Sequence, residues 1–329
     1  MPRVLLSGSP MIDPDIFREE LGQDAVFRVE QLGTTDAVIE AGTVANERGE
    51  PFDAIVGDVA TPIPREAVET IEPSVIVRAS VGVGTVDVAA AAEYGIPVIR
   101  VPEYCTEEVA VHTVALLLSC LRSIGTYDRS VGAGRWDWRD GRPIHRLSAS
   151  AVGLVSLGPI ARAVATLLEP YGCETLAYDP YVDGEEMADL GVEKTGFEEL
   201  FDRADHVVVL APLTADTRGM VDADVLSRLG PGSVLANTGR GEVIDEEDLV
   251  AALEADDLKM AGLDVLAEEP PGENHPLVGR DDVIVNPHAA WYSEESRTEL
   301  NRRAARDLRR ALSGEEPEGL VDPEAPWAT

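Results

Sequence analysis

The sequence predicts an α/β protein of two domains, each built round a parallel sheet. Short apolar runs alternate with amphipathic stretches of helical period, the rhythm of strand–helix–strand units rather than of hairpins. The alternation occurs twice, before residue 104 and again from Ala151 to about Ala290, separated by an irregular Gly-, Arg- and Trp-rich stretch (VGAGRWDWRDGRPIHRLSAS). A chain of 329 residues is also long for one core and comfortable for two.

In the first domain the strand candidates are residues 4–7, 54–56, 75–78 and 97–101, which are rich in β-branched residues that suit a buried pleated surface. Amphipathic segments such as 63–71 supply the crossovers that parallel strands require. Residues 107–124 (EEVAVHTVALLLSCLRSI) follow as one long apolar helix. The second domain opens with a strand at 151–157 (AVGLVSL), a turn at Gly158-Pro159-Ile160-Ala161, a helix over 162–168 and a strand at 174–178 that ends in Asp179. Its later strands are 206–210, 233–237, 260–265 and 283–286. Residues 293–312 form a closing helix with Ser293 or Ser296 as N-cap, Leu300, Ala304, Leu308 and Leu312 on one stripe, and Gly314 just beyond. If this helix packs on the first domain, the second is an insertion: residues 1–103 and 294–329 against 104–293. The tail after Gly314 (EEPEGLVDPEAPWAT) is expected to be disordered.

The net charge of −34 is extreme, and all 27 basic residues except Lys194 and Lys259 are arginines. Such a surface repels itself in dilute salt, and molar salt screens it by shortening the Debye length to about 3 Å. Adaptation to a salt-rich cytoplasm is the reading we adopt. Nucleic acid is excluded as a partner, because phosphate binding requires clustered cations. No apolar stretch approaches the roughly 20 residues of a membrane span, and the N-terminus lacks a signal-peptide layout. Cys105, Cys120 and Cys173 show no C-x-x-C spacing, so neither a disulfide framework nor a metal site is expected.

Arg240, Glu269 and His288 each follow one of the late apolar runs. Ligands of an open parallel sheet bind beyond the carboxyl ends of its strands, so these three groups reach one edge. A guanidinium holds a carboxylate bidentately and polarises a neighbouring carbonyl. The proline-rich turn Ala267-Glu268-Glu269-Pro270-Pro271 can aim a carboxylate, and a carboxylate beside an imidazole fixes its tautomer. His288, in Asn286-Pro287-His288-Ala289-Ala290-Trp291, has small neighbours that leave room for a ligand. His112 reads as structural. His145, His206 and His275 have no acid–base partner that the sequence identifies.

A dinucleotide site is signalled by the strand–turn–helix at 151–168. Of the G-x-G-x-x-G positions only the central one, Gly158, is glycine; Ser156 and Ala161 hold the others. Asp179 follows about 20 positions later, where an acid binds ribose and repels the 2′-phosphate of NADP, so NAD is preferred. Gly82-Val83-Gly84 does not complete a second fingerprint. Ser80, Val81 and Gly82 make either a carboxylate-binding turn of N–H groups or an ordinary strand–helix turn.

These residues resemble the D-isomer-specific 2-hydroxyacid dehydrogenases over nearly the whole chain. The matching blocks are 78–87 (RASVGVGTVD), 153–161, Tyr178-Asp179-Pro180, 237–243 (NTGRGEV), 262–270 (GLDVLAEEP) and 286–293 (NPHAAWYS). The last block, with Arg78, is most similar to the C-terminal binding protein branch; phosphoglycerate and glycerate dehydrogenases are more distant. The resemblance implies two Rossmann/flavodoxin-like domains, the cofactor domain inserted into the substrate domain, and a homodimer through the cofactor domains. It implies His288 as acid–base, Glu269 as its partner and Arg240 on the substrate carboxylate, with Arg78, Val81, Gly82 and Trp291 also binding substrate. It implies NAD held by Thr113, Val155, Ser156, Leu157, Gly158, Pro159, Ile160, Asp179, Ala211, Pro212, Leu213, Thr217, Thr238, Gly239, Arg240, Asp264, His288 and Ala290. Ser156 and Ala161 depart from family glycines, and Pro159 from a frequent basic residue. Gly57-Asp58-Val59 offers no cation to a phosphorylated substrate, and the chain as given leaves no room for a regulatory domain. The expected function is NAD-dependent interconversion of a small D-2-hydroxy acid and its 2-keto acid. The alternatives are an NADH-sensing interaction protein and a phosphoglycerate dehydrogenase.

Overall fold

Residues 1–22 and 25–328 are described by the structure, a computed structural model, and they divide into two units: Met1–Tyr104 with Ser293–Thr329, and Cys105–Tyr292. The first unit runs β1 (Arg3–Ser7), α1 (Pro14–Leu21), β2 (Val26–Glu30), α2 (Thr35–Glu47), β3 (Ala54–Gly57), α3 (Arg65–Ile71), β4 (Val75–Arg78), α4 (Val88–Glu93) and β5 (Val98–Arg100). Its sheet is parallel throughout, in the order β2-β1-β3-β4-β5. Leu5, Ile55 and Ile76 from three neighbouring strands are fully buried in one cluster. The apolar-run criterion misses β2, because this edge strand is half exposed and carries Arg28 and Glu30, charges that also discourage edge-to-edge pairing.

The second unit continues with α5 (Thr106–Leu121), α6 (Ile124–Gly132), β6 (Ala151–Val155), α7 (Pro159–Leu168), β7 (Glu174–Tyr178), α8 (Gly184–Asp189), β8 (Glu193–Lys194), α9 (Phe197–Arg203), β9 (His206–Val209), α10 (Ala223–Leu226), β10 (Val234–Asn237), α11 (Glu246–Glu254), β11 (Met260–Leu263) and β12 (Val283–Val285). The strand order is β12-β11-β10-β9-β6-β7-β8, again parallel. Connections reverse direction at β6, which pairs with both β7 and β9, and that reversal opens a crevice at their carboxyl ends. The helix expected over 107–124 ends at Leu121, and a second helix follows from Ile124 after a bend of 58°. Ser123 adopts a φ of +52° at the break, and its buried hydroxyl donates to the Gly141 carbonyl at 2.9 Å. Helix α7 also begins earlier than expected, because Pro159 is pre-set for a first helical position. Among the described residues no single helix is long and apolar enough to cross a membrane.

The last helix, α12 (Glu294–Ser313), belongs to the first unit, with Ser293 as N-cap and Gly314 at φ +79° as C-cap. The tail beyond it is ordered, contrary to expectation. Leu320 bridges Ile99 in antiparallel fashion, and the Arg100 and Val321 N–H groups donate to the Gly319 and Val98 carbonyls at 2.8 and 2.9 Å. Asp307 accepts the Glu318 and Gly319 N–H groups, and the Arg100 guanidinium lies 4.1 Å over the Trp327 ring. The acidic composition hid a segment that completes the open edge of β5.

Candidate active site

Three strand ends of the second unit carry the reactive groups. After β10, Asn237 folds the chain back: its Oδ1 accepts the Gly239 N–H at 2.9 Å and its Nδ2 donates to the Arg240 carbonyl at 2.9 Å. Of the glycines flanking Arg240, Gly241 is sterically required and Gly239 is tightly placed. A Cβ on Gly239 would lie 3.1 Å from backbone atoms of Leu210 and Ala211, and one on Gly241 would lie 2.0 Å from the Leu266 carbonyl carbon. The loops after β9 and β11 therefore press on either side of Arg240, whose Nη1 donates to the Gly239 carbonyl at 2.7 Å.

After β11, Asp264 is 1% exposed and holds the segment that follows β12. Its Oδ1 and Oδ2 accept the Ala289 and Ala290 N–H groups, each at 2.9 Å, and its carbonyl accepts the His288 N–H at 2.8 Å. His288 is thereby kept at a φ of +51°, a left-handed conformation unusual for a side chain of its size. His112, expected to be structural, adds to this clamp: Nε2 lies 3.1 Å from Asn286 Oδ1 and 3.5 Å from Asp264 Oδ1. The Trp291 ring packs edge-on to Tyr292 at 5.5 Å between centroids.

Glu269 meets His288 directly, with Oε2 2.7 Å from Nδ1. Its Oε1 accepts the Leu266 N–H at 3.0 Å, which ties the turn to itself. A carboxylate only accepts, so Nδ1 carries a proton and Nε2 is left to exchange one with a ligand. Burial raises the Glu269 pKa, but the His288 hydrogen bond and charge, the Leu266 N–H and the Arg240 charge outweigh it and hold the carboxyl below its ordinary value. Both side chains are about one-third exposed.

The fingerprint segment fits a dinucleotide in spite of its missing glycines. Gly158 has a φ of −72°, open to any residue, and a Cβ there would meet no protein atom within 4 Å. The fold gives no reason for a glycine at this position; close backbone approach of a pyrophosphate does. No side chain caps α7, so its first N–H groups remain for an anion. Ser156 sits at φ +84°, which explains why glycine suits the position. Its hydroxyl lies 3.4 Å from Asp179 Oδ2, which also accepts the Leu157 N–H at 2.8 Å, while Oδ1 accepts the Tyr181 N–H at 2.9 Å. A carboxylate oxygen can accept two hydrogen bonds and Oδ1 has this one, so it retains capacity for a ribose hydroxyl. Thr113 and Thr238 are joined at 2.6 Å, and Thr217 donates to the Pro212 carbonyl at 2.6 Å, which shapes the loop after β9 that carries Ala211 and Leu213.

In the first unit Arg78 closes β4 and is 4% exposed. The turn after it is internally bonded: Ser80 Oγ donates to the Gly82 carbonyl at 2.6 Å, and Arg100 donates to that of Val81 at 3.3 Å. Asp58, next to the register partner of Arg78, is buried, and its Oδ1 accepts the Ala60 N–H and the Thr61 hydroxyl.

Sequence reasoning missed Asn237, Asn286 and Glu246 as organisers of these loops. It also left His275 without a partner; in fact Nε2 lies 3.2 Å from Glu246 Oε2. An N-T-G-R-G turn with an amide two residues before glycine was the available signal for Asn237. The Glu246–His275 contact spans a whole strand and leaves no local pattern.

Residues 114–290, more than half of the chain, match the family described as D-isomer specific 2-hydroxyacid dehydrogenase, NAD binding domain. The chain is 32% identical over 309 residues to a D-3-phosphoglycerate dehydrogenase of Methanocaldococcus jannaschii, covering 92% of this chain and 58% of that one. It spans a little over half the length of the curated relatives it matches. Among solved structures, a protein of Thermus thermophilus matches with a TM-score of 0.86 and 28% identity, over 97% of this chain and all of that one. The NADPH-dependent glyoxylate/hydroxypyruvate reductase of Sinorhizobium meliloti, solved with NADP and malonate, matches with a TM-score of 0.82 and 30% identity, over 97% and 96%.

Proposed function

The chain belongs to the D-isomer-specific 2-hydroxyacid dehydrogenase family, and from that premise we propose that it is an NAD-dependent oxidoreductase interconverting a small D-2-hydroxy acid and its 2-keto acid. The observation that carries the proposal is the 2.7 Å bond between Glu269 and His288 beside Arg240, at the carboxyl ends of adjacent strands. In oxidation His288 Nε2 takes the hydroxyl proton as the C2 hydrogen departs with its electron pair. In reduction the protonated ring, its charge balanced by Glu269, returns the proton to the carbonyl oxygen. Arg240 binds the substrate carboxylate and stabilises charge on the oxygen beside it. Bound nicotinamide would supply the hydride chemistry, and Gly158, the α7 N-terminus and Asp179 would hold its dinucleotide. Arg78, Val81, Gly82 and Trp291 are proposed to bind substrate on the strength of the family resemblance.

The names of the curated relatives favour a second reading, oxidation of 3-phosphoglycerate. The buried Asp58 carboxylate near the end of β3 disfavours a phosphate there, so an unphosphorylated acid is the first choice. A homodimer through the NAD-binding domains is also proposed. Trp136 and Trp138, 89% and 71% exposed beyond α6, support it, since large exposed aromatics mark interaction surfaces. A salt-rich cytoplasm is the proposed setting. The test is NADH oxidation in molar salt with a panel of 2-keto acids that includes a phosphorylated member. Turnover of an unphosphorylated acid supports the first reading and preference for the phosphorylated one supports the second. Firm NADH binding with no turnover supports the sensing protein of the C-terminal binding protein type.

A further inference from the structure

Behind the Glu269–His288 pair lies a second carboxylate–imidazole pair that the proposed chemistry leaves unused. Glu246 is the first residue of α11, where a negative charge is favoured by the helix dipole. Its Oε1 accepts the Ala267 N–H at 2.9 Å, and its Oε2 lies 3.2 Å from His275 Nε2. His275 Nδ1 accepts the Leu277 N–H at 3.4 Å, so Nε2 carries the ring proton and donates to Glu246. The His275 side chain is 9% exposed and that of Glu246 19%, so solvent does little to screen the contact. Both of Glu246's oxygens are therefore committed, one to His275 and one to the turn that carries Glu269.

That turn has two further restraints. Leu266 is pressed against Gly241, and its N–H is held by Glu269 Oε1. Ala267 is the next residue, and only Glu246 fixes its N–H among the described hydrogen bonds. We propose that Glu246, oriented by His275, is a positioning residue that holds the Ala267–Glu269 turn so that Glu269 meets His288. The proposal rests on the dehydrogenase reading for its effect on turnover, but not for its effect on Glu269 itself.

The test compares Glu246→Ala, Glu246→Gln and His275→Gln with the wild-type chain in molar salt. Carboxyl-carbon NMR follows the titration of Glu269, which needs no substrate, while NADH fluorescence and steady-state kinetics follow binding and turnover. In Glu246→Ala the turn loosens, the bonds that depress Glu269 weaken, and its titration moves to higher pH. The kcat falls by roughly 10- to 100-fold, with KM for NADH unchanged. Glu246→Gln still accepts from Ala267 but turns an amide N–H toward the His275 proton, so a smaller shift in the same direction is expected. His275→Gln keeps a donor to Glu246 and retains most of kcat. Should Glu246→Ala fail to fold, Glu246→Gln carries the test. A lowered melting temperature with an unmoved Glu269 titration overturns the proposal. A moved titration in a protein that turns over no acid upholds the positioning role and instead sinks the dehydrogenase reading.

Discussion

Gly158→Ala separates what the fold requires from what a bound dinucleotide requires. At φ −72° and ψ −176° the backbone accepts alanine, and the added Cβ meets no protein atom within 4 Å. Replacing glycine at such a position restricts the unfolded chain and stabilises the native state by about 0.4–1 kcal/mol. For a unit of this size that is a rise in Tm of roughly 1–4 °C. Binding responds in the opposite direction. The methyl group stands where a pyrophosphate approaches the N-terminus of α7, and it displaces one or two charge-assisted hydrogen bonds of about 1.5 kcal/mol each. NADH should then bind roughly 10- to 100-fold more weakly. Fluorescence titration of NADH and thermal melting, both in the same molar salt, read the two effects separately. An NADH affinity within about twofold of wild type would refute the argument that this glycine serves the cofactor. A large fall in Tm would refute it too, by showing that the fold needs the glycine.

Gly241→Ala should act differently, since its Cβ would lie 2.0 Å from the Leu266 carbonyl carbon and 2.4 Å from the Ala267 nitrogen, both backbone atoms. Displacement of that loop or of the Arg240 turn by about 1 Å costs about 100-fold in kcat, along with about 1–3 kcal/mol of stability; unchanged kcat contradicts the packing argument. Ser156→Gly removes a residue held at φ +84°, so Tm should rise by an amount equivalent to about 1 kcal/mol, and a fall would show that the hydroxyl near Asp179 matters more than the strain. Burial lowers the pKa of His206 to about 4 from 6.5. Below pH 6.5 the unfolded chain therefore gains a proton that the native state refuses until about pH 4, and stability falls across that window as pH falls. Urea midpoints at pH 7 and pH 5 should differ less in His206→Gln than in wild type; equal differences contradict the assignment.

Much of this was legible because parallel strands announce themselves as short apolar runs, and ligands gather at their carboxyl ends. Arg240, Glu269 and His288 could be singled out for that reason, and the structure places Glu269 and His288 within hydrogen-bonding distance. Glycines flanking Arg240 were visible, but their cause was not: it lies in the Leu210–Ala211 and Leu266 backbones, distant in sequence. The Asp264 clamp on residues 288–290 was likewise hidden, because a buried acid at a strand end reads equally well as a ligand contact. The early end of the long apolar helix and the bend into α6 turn on the backbone of Ser123 and a bond to Gly141, neither of which hydropathy detects. The ordered tail misled composition in the opposite sense. Its acids face outward while Leu320 and Val321 extend the sheet and Trp327 covers Arg100.

The central claim is that His288 Nε2 exchanges the substrate proton while Glu269 holds Nδ1. Comparing wild-type and His288→Ala protein in molar salt, by NADH oxidation with unphosphorylated 2-keto acids alongside NADH fluorescence, tests it most directly. The account predicts turnover of at least one acid by wild type, loss of that turnover in the variant, and equal NADH affinity in both. Turnover by the variant at a rate near wild type would contradict it.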